Sequence, residues 1–423
     1  MPSRYSFFIF ALLIIVFPLK AQINNSETVP SNSEEASVLI NGIEISGLKR
    51  TKKYVLEKPL QKFIGEDASK IDLNDVRAVI VETGILEPVS VEMEDDSQNH
   101  GKILKVEVHE KWTLFPLPVM YANSRGIGGG LGFMDFNAFG INDKFMLGAM
   151  IDYYGWLAAT AYIHTPGIDS SLGWSVVFFY SKQEKVDSDE KNYDIREYGL
   201  TRFFVLTGLN YEIKKPVLVF LNVSFNNEKV HDVDNSPSVP EDDGSVIGVN
   251  PGLRIRKTSW DGYFLSEKKI EIGYEYSFGI DYPSFQKIEI ATNYEESLAP
   301  GFRMFARGGL VYAPETPPLF ESSPRSVNVG ILPQSFSARN FLGGSAGLEK
   351  CIFKRSFGTL SILSSYQVVY SDGPIIGERL DYGVLGGIQF YLRKLAIPAV
   401  GLGVSYNVAA DYLQGAFNIG MSF

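Results

Sequence analysis

The chain has 423 residues, a formal net charge of −10 at pH 7, and 40 Gly, 29 Phe and 22 Tyr. Its acidic balance argues against a nucleic-acid-binding protein and against a basic protein of the membrane surface. The single Cys351 excludes an intramolecular disulfide, and four scattered histidines argue against a histidine metal cluster.

The amino end has the layout of a secretory signal peptide. In MPSRYSFFIFALLIIVFPLKAQ, Arg4 precedes a short apolar stretch that runs from Phe7 to Leu19, and a small-residue cleavage pattern follows. The apolar stretch is short for a spanning helix, although a membrane anchor is the alternative interpretation. We predict a signal peptide over residues 1–21 and a polar, disordered leader over residues 22–37.

Residues 38–111 predict a small domain with the order strand, helix, helix, strand, strand. Ile43 and Ile45 alternate with polar residues in the first strand. Asp72 is a plausible N-cap of the second helix, and Gly84 is its predicted stop. PVSVEME and KILKVEVHE follow as two alternating strands. The pattern is that of one small α+β domain.

From residue 112 to residue 423, apolar and polar residues alternate with the two-residue period of a β-strand. In KKIEIGYEYSFG the isoleucines and aromatic residues share one face, and the charged and small residues share the other. Such a strand suits a soluble sheet or the lipid-facing wall of a barrel. Sixteen strands without intervening helices favour a transmembrane antiparallel β-barrel, because a closed sheet pairs its own backbone groups in a bilayer. The predicted strands are 114–122, 127–137, 143–154, 157–165, 171–183, 195–212, 216–226, 246–257, 262–279, 285–296, 299–313, 342–353, 357–371, 381–392, 396–409 and 412–423.

The connections between these strands alternate in length. If the small domain lies in the periplasm, odd-numbered connections are outer loops, and these are the long ones. Even-numbered connections such as TPGIDS, EIKKP and FKRS are short, which is the asymmetry of bacterial outer-membrane barrels. In the terminal GAFNIGMSF, four apolar residues are predicted to face lipid, and the strand resembles the assembly signal of such barrels. They are Phe417, Ile419, Met421 and Phe423.

Residues 38–111 resemble a POTRA domain, the periplasmic module of the BamA/TamA-type outer-membrane assembly superfamily (the bacterial surface antigen family). The resemblance is carried by I-x-I-x-G at Ile43–Gly47, by RTKKYV, by ETGILEPVSVEM and by the closing LKVEVHEKW. A generic sandwich of two helices on a sheet is the alternative. The resemblance implies one POTRA domain at 38–111 before a barrel of about 16 strands at 112–423.

The connection from Pro314 to Phe341 resembles the sixth outer loop of that superfamily, which tucks into the barrel lumen. There an Arg-Gly-aromatic tip is followed by Gly-Gly and an acidic strand residue. The matching residues are Arg339, Asn340, Phe341, Gly343, Gly344 and Glu349. Asn340 stands where the superfamily usually has Gly, and Asn tolerates a left-handed backbone better than most residues.

Two carboxylates are candidate partners for Arg339. Asp372 lies in VVYSDGPI, which resembles the superfamily's next-strand motif, and Glu349 is the other contender. A bidentate contact between a guanidinium and a carboxylate would fix the loop in one register. The alternative is an ordinary surface arginine in a solvated loop.

The first barrel strand, LFPLPVMYA, contains Pro116 and Pro118. Proline removes donors from a ladder, so pairing of this strand with the last strand should be weak. The resemblance implies that this seam opens laterally; the alternative is that the prolines end the linker and never enter the sheet.

The resemblance implies an outer-membrane insertase or translocation component that receives unfolded outer-membrane or secreted proteins through its POTRA domain. Its environment would be the lipid bilayer, with periplasmic chaperones or lipoproteins as further candidate partners. No enzyme motif, cofactor or metal is expected, since RGIGGGLGF does not fit G-x-G-x-x-G and the acid-rich outer loop lacks EF-hand spacing. A two-partner-type secretion pore for one dedicated passenger and a passive porin are the alternatives.

Overall fold

The computed structural model describes residues 38–97, 99–123, 126–152, 155–166, 170–214, 216–231, 243–392 and 400–419. Within these ranges the chain from Val38 onward forms one compact unit. The predicted signal peptide and leader lie outside the described residues, as do Met421, Phe423 and most of the acid-rich loop.

The small domain has the predicted order of elements. They are β1 Ile40–Ser46, α1 Tyr54–Leu60, α2 Leu73–Glu82, β2 Leu86–Asp96 and β3 Gly101–Glu110, with 3₁₀ turns at Gln61–Phe63 and Ala68–Lys70. The sheet order is β1-β3-β2; β1 runs parallel to β3, and β2 runs antiparallel to β3. This order confirms the strand, helix, helix, strand, strand prediction.

Local sequence signals explain where α2 begins and ends. The Asp72 side chain accepts a hydrogen bond of 2.8 Å from the backbone N–H of Asn74, as an N-cap does. At the other end Gly84 adopts a left-handed φ of +74°, which glycine reaches without steric cost. The apolar face of the helix then packs on the sheet. The core of the small domain includes Leu56, Leu60, Val76, Ile80, Leu86, Leu104 and Val106.

Sixteen antiparallel strands follow, which confirms the predicted number. They are β4 Leu114–Asn123, β5 Gly126–Ala138, β6 Asp143–Asp152, β7 Gly155–His164, β8 Leu172–Ser188, β9 Asp194–Lys214, β10 Val217–His231, β11 Gly244–Trp260, β12 Leu265–Gly279, β13 Phe285–Ala299, β14 Phe302–Tyr312, β15 Asn340–Arg355, β16 Gly358–Gly373, β17 Gly377–Leu392, β18 Val400–Asn407 and β19 Tyr412–Ile419. Each strand pairs with its sequence neighbours. The prediction ended β8 and β10 too early, because their last residues are polar and read as loop.

The sixteen-stranded sheet is polar on its buried face and apolar on its exposed face. In β16, Ser361 and Gln367 are buried, whereas Ile362 and Tyr366 are 49% and 52% exposed. A soluble protein distributes these residue types the other way round. An apolar outer face is expected of a sheet whose outside contacts lipid.

The two end strands of the sheet are β4 and β19. In the residues that the structure describes, no backbone ladder joins them, whereas the sequence predicts a closed barrel. Pro116 and Pro118 lie within β4, opposite Phe133 and Leu131 of β5. The prolines therefore enter the sheet, and they remove two backbone donors from an end strand. None of the described helices combines the length and the apolar character needed to cross a bilayer.

Candidate functional site

Residues 313–339, which connect β14 to β15, form a packed element that we call the inner loop. It contains 3₁₀ turns at Pro318–Phe320 and Pro324–Val327. Its apolar side chains are buried against β14, β15 and β16. The packed residues are Val327, Val329, Ile331, Leu332, Phe336 and Ala338 of the loop with Val311, Phe341 and Val369 of the strands. A connection this long that carries its own core is more typical of a functional element than of a solvated surface loop.

Polar contacts tie one side of the inner loop to β8 and β9. The Ser337 hydroxyl donates to Asp187 Oδ1 at 3.0 Å, and the backbone N–H of Ser188 donates to the carbonyl of Ser335 at 3.0 Å. Arg196 Nη2 donates to Glu321 Oε2 at 3.0 Å. The loop is therefore held by backbone, hydroxyl and ionic contacts on this side.

Other contacts tie the same loop to the far end of the sheet. Gly330 N–H donates to Gln367 Oε1 of β16 at 2.8 Å, and its carbonyl accepts from Ser405 Oγ of β18 at 2.8 Å. Gln414 Nε2 of β19 donates to the carbonyls of Gly330 at 2.7 Å and Leu332 at 3.0 Å. Strands β9 and β16 are seven positions apart in the sheet, so one loop reaches both only if the sheet curves around it. The inner loop lies on the concave face.

A buried charge cluster joins β8, β9 and the inner loop. The guanidinium of Arg196 bonds both Asp187 and Glu321, and none of the three side chains is more than 6% exposed. Burial raises the pKa of Glu321 above its ordinary value, although Arg196 opposes that shift. Removing one member of such a cluster leaves an uncompensated buried charge. The sequence did not identify this cluster, because its members are far apart along the chain.

Arg339, the last residue of the inner loop, has partners other than the two predicted carboxylates. Its Nη1 donates to the carbonyl of Pro314 at 3.2 Å, and its Nε lies 3.8 Å from Glu321 Oε1. Glu349 lies ten residues after Arg339, within β15, a distance of about 33 Å in an extended strand. The structure thus places Glu321, and neither Glu349 nor Asp372, beside the guanidinium.

Asp372 is paired with the side chain of Asn340 instead. The two residues lie opposite each other in the β15–β16 register, and Asn340 Nδ2 donates to Asp372 Oδ2 at 3.0 Å. Asn340 Oδ1 also accepts from the backbone N–H of Ala313 at 2.8 Å. Side chains alternate along a strand, so position 340 faces this carboxylate and position 339 does not. Asn340 begins β15 as extended backbone and clamps both ends of the inner loop together.

Glu349 belongs to a second buried cluster. Arg303 donates to Glu349 Oε2 from Nε at 2.9 Å and from Nη2 at 2.7 Å, and it donates from Nη1 to Glu295 at 2.9 Å. Arg307 donates to the other oxygen of Glu295 at 2.9 Å, and the Tyr391 hydroxyl donates to Glu349 at 2.7 Å. Two guanidinium groups and two carboxylates therefore balance one another across β13, β14 and β15. The inward positions of charged residues on neighbouring strands were the available sequence signal, but their pairing depends on register.

The remaining predicted loop residues serve close packing. Phe341 is buried, with its ring centroid 6.2 Å from that of Phe336 in the inner loop. A Cβ at Gly344 would lie 2.4 Å from the carbonyl oxygen of Arg307, and one at Gly343 would lie 2.8 Å from that of Val368. The two glycines therefore permit a backbone approach that larger residues would block.

Residues 49–52, which we call the docking segment, join the small domain to the large sheet. Arg50 Nη2 lies 2.6 Å from Asp135 Oδ2 of β5, and Asn137 Nδ2 donates to Thr51 Oγ1 at 2.9 Å. The backbone N–H of Lys52 donates to the carbonyl of Gly140 at 2.8 Å. A Cβ at Gly140 would lie 2.4 Å from the carbonyl oxygen of Arg50. The docking segment therefore contacts β5 and the following turn closely, through both side-chain and backbone hydrogen bonds.

Glu110, the last residue of β3, holds the docking segment from the other side. Its carboxylate accepts from the backbone N–H groups of Lys49 at 2.9 Å, Arg50 at 2.9 Å and Thr51 at 2.7 Å. Burial tends to raise the pKa of Glu110, but the three backbone donors outweigh it and the pKa lies below its ordinary value. The charged form of Glu110 is therefore the form that shapes this segment.

The carboxy-terminal prediction is only partly within the described residues. β19 contains Phe417 and Ile419, which lie opposite Leu402 and Val400 of β18 in the backbone register. The outward orientation of the terminal apolar residues remains a prediction.

Comparison with known proteins finds similarity in fold. No family model and no curated protein sequence matches the chain. BamA from Haemophilus ducreyi lacking POTRA domains 1–3 is similar over 90% of this chain and 85% of that chain, with 12% identity and a TM-score of 0.50. CdiB from Acinetobacter baumannii covers 91% of this chain and 74% of its own, with 16% identity and a TM-score of 0.55. CdiB from Escherichia coli is similar over 90% of this chain and 76% of its own, with 11% identity and a TM-score of 0.60. The structural likeness to BamA confirms the predicted resemblance at the level of the fold.

Proposed function

We propose that this chain is a bacterial outer-membrane protein that inserts polypeptides into that membrane or moves them across it. The observation that carries the proposal is the inner loop, which is held by β8 and β9 on one side and by β16, β18 and β19 on the other. The reversed burial of the sheet and its likeness to BamA and CdiB support a membrane location.

In this proposal residues 38–111 are a POTRA domain in the periplasm, residues 112–423 form the barrel, and residues 1–21 direct export. The order β1-β3-β2 leaves β1 and β2 as edge strands of the small sheet. An edge strand offers unpaired backbone groups to an extended peptide, so an unfolded outer-membrane or secreted protein would add to it as a further strand. Periplasmic chaperones or lipoproteins would deliver such substrates.

The second step would take place between β4 and β19. The prolines of β4 lack the backbone N–H groups that a ladder with β19 could use, which would lower the cost of opening this seam. The incoming strand would exchange backbone hydrogen bonds with the seam, which requires no covalent chemistry, nucleotide or metal. The Asn340–Asp372 and Arg196–Glu321 contacts, with Arg339 beside Glu321, would keep the inner loop in place meanwhile.

A secretion pore for a dedicated passenger is the second candidate. It is supported by charged pairs on the inward positions of β11, β12 and β13 that keep partial contact with solvent. Arg254 Nε lies 2.7 Å from Glu271, and Lys287 Nζ lies 3.3 Å from Glu275. A charged, hydrated wall beside the inner loop would suit the passage of an unfolded polar chain. A passive porin would not need the small domain.

Depletion of the protein, followed by quantitative proteomics of the outer membrane and the culture medium, tests these candidates. A broad fall in barrel proteins is expected if the chain is a general insertase. Loss of one secreted protein would favour the dedicated pore. Unchanged protein fractions combined with altered uptake of small solutes would overturn both and leave a porin.

A further inference from the structure

The outer face of strands β14–β18 carries an apolar groove of about 700 Å³. Ser364 and Gly386 lie opposite each other in the β16–β17 register and form its floor. Leu348 of β15 and Val404 of β18 continue the same row and form two of its walls. The volume is within the range of about 300–1,000 Å³ that is typical of small-molecule sites.

The groove exists because Gly386 has no side chain. A Cβ placed at Gly386 would have no heavy atom within 4 Å, so the missing side chain is not required by any close approach of the backbone. The residues around it are long and exposed, among them Ile388 and Leu402. A depression of this kind in an apolar surface is filled by an apolar group from outside the chain.

One end of the groove is marked by a cation. Lys350 lines it and shares an outward-facing row with Phe302 and Ile362, its register partners on the two neighbouring strands. Lys350 is exposed, and among the described residues no carboxylate forms an ion pair with it. An ammonium group at the edge of an apolar surface favours an anionic partner.

Aromatic residues just beyond Lys350 indicate where that partner would lie. Three phenylalanine rings cluster near the β15–β16 turn. The ring centroid of Phe357 lies 6.1 Å from that of Phe353 and 5.9 Å from that of Phe390 in β17. The guanidinium of Arg355 lies 5.1 Å from the ring centroid of Phe353. Aromatic rings and cations at the ends of barrel strands mark the headgroup level of a membrane. Lys350 lies three residues from Phe353, so its ammonium group is near that level.

We propose that this groove binds one phospholipid, with an acyl chain over Ser364 and Gly386 and the phosphate beside Lys350. The proposal rests on the membrane location given under the proposed function. The occupant is identified by its chemistry, an apolar chain joined to a phosphodiester, which matches the apolar floor and the cation Lys350 at one end. The lipid would belong to the leaflet on the side of the β15–β16 turn, which is the periplasmic side if the small domain lies in the periplasm.

Native mass spectrometry of the full chain in detergent, loaded with palmitoyl-oleoyl phosphatidylglycerol, tests the proposal. We expect wild type to retain one lipid after the others dissociate. Gly386→Leu fills the groove without a backbone clash and should lower retention at least about tenfold. Lys350→Gln should lower retention of phosphatidylglycerol about fivefold and leave that of diacylglycerol, which lacks the phosphate, unchanged.

Two matched variants control for general effects on the lipid-facing surface. Ala149→Leu adds the same side chain to an exposed position of β6, and Lys229→Gln removes an exposed ammonium group from β10. If wild type and Gly386→Leu retain the lipid equally, or if the control variants lose it to the same extent, the proposal that the groove binds a lipid is wrong. If wild type fails to insert into phosphatidylglycerol vesicles as folded protein, the membrane location itself fails. If the protein inserts into the vesicles but retains no lipid, only the proposal of a lipid site in the groove is wrong.

Discussion

Arg196 of β9 donates to Glu321 of the inner loop over 3.0 Å, and both side chains are almost completely buried. The contact joins residues that are 125 positions apart in the chain. It fixes one side of the inner loop to β9, whereas Gln367 of β16 and Gln414 of β19 hold the other side. The position of the loop therefore depends on strands from both halves of the sheet.

Removing Arg196 should release this side of the inner loop. Arg196→Ala leaves the Asp187 and Glu321 carboxylates buried without their cation, which costs about 3–5 kcal/mol in comparable clusters. Urea unfolding in detergent micelles measures the loss. Arg355→Ala, an exposed arginine at the β15–β16 turn, is the control and should change the free energy of unfolding by less than about 0.5 kcal/mol. A similar small change for both variants would contradict the assignment.

Replacing Asn340 by Gly should loosen the junction between the inner loop and β15. The variant loses the hydrogen bonds to Asp372 and to Ala313, a loss of about 1–3 kcal/mol for buried polar groups. Hydrogen exchange of residues 313–339 should become faster. In a double-mutant cycle, Asn340→Gly and Asp372→Ala should together cost less than the sum of their separate effects. Strict additivity would show that the two side chains do not interact.

The docking segment should respond to acid through Glu110. Its pKa in the folded protein lies below the ordinary glutamate value of about 4.3, so its contribution to stability is complete above that value and is lost as the pH falls through the folded pKa. The protection of the backbone amides of residues 49–51 against hydrogen exchange, measured relative to the intrinsic exchange rate at each pH, should therefore fall below about pH 4.3. Glu110→Gln should abolish that dependence, whereas Glu92→Gln, an exposed residue of β2, should preserve it. An acid response that survives in Glu110→Gln would assign it to another group.

Reversing the charge of Arg50 should separate the small domain from β5. Arg50→Glu replaces the ion pair with Asp135 by two neighbouring carboxylates, which repel each other. We expect faster hydrogen exchange in residues 49–52 while the α2 core remains protected. Asp135→Arg in the same chain should restore part of the protection, because the ion pair is re-formed with its polarity exchanged. Unchanged exchange in Arg50→Glu would mean that Thr51 and Lys52 suffice for docking.

The sequence by itself determined the strand count and the order of the small domain. Alternation of apolar and polar residues depends only on the two-residue period of a strand, so β12 is evident from Ile270 to Phe278 without knowledge of its neighbours. Asp72 and Gly84 mark the ends of α2 for equally local reasons. The strand ends at β8 and β10 were missed where the residues are polar but still pair with a neighbouring strand.

Only the tertiary structure decided which charges meet. Arg339 lies beside Glu321, Glu349 binds Arg303, and Asp372 binds Asn340. These pairings follow from strand register and from the path of the inner loop, and a shift of one residue would turn each side chain to the other face. Periodicity places a residue on a face, but pairing between distant strands is set by curvature that no local pattern contains.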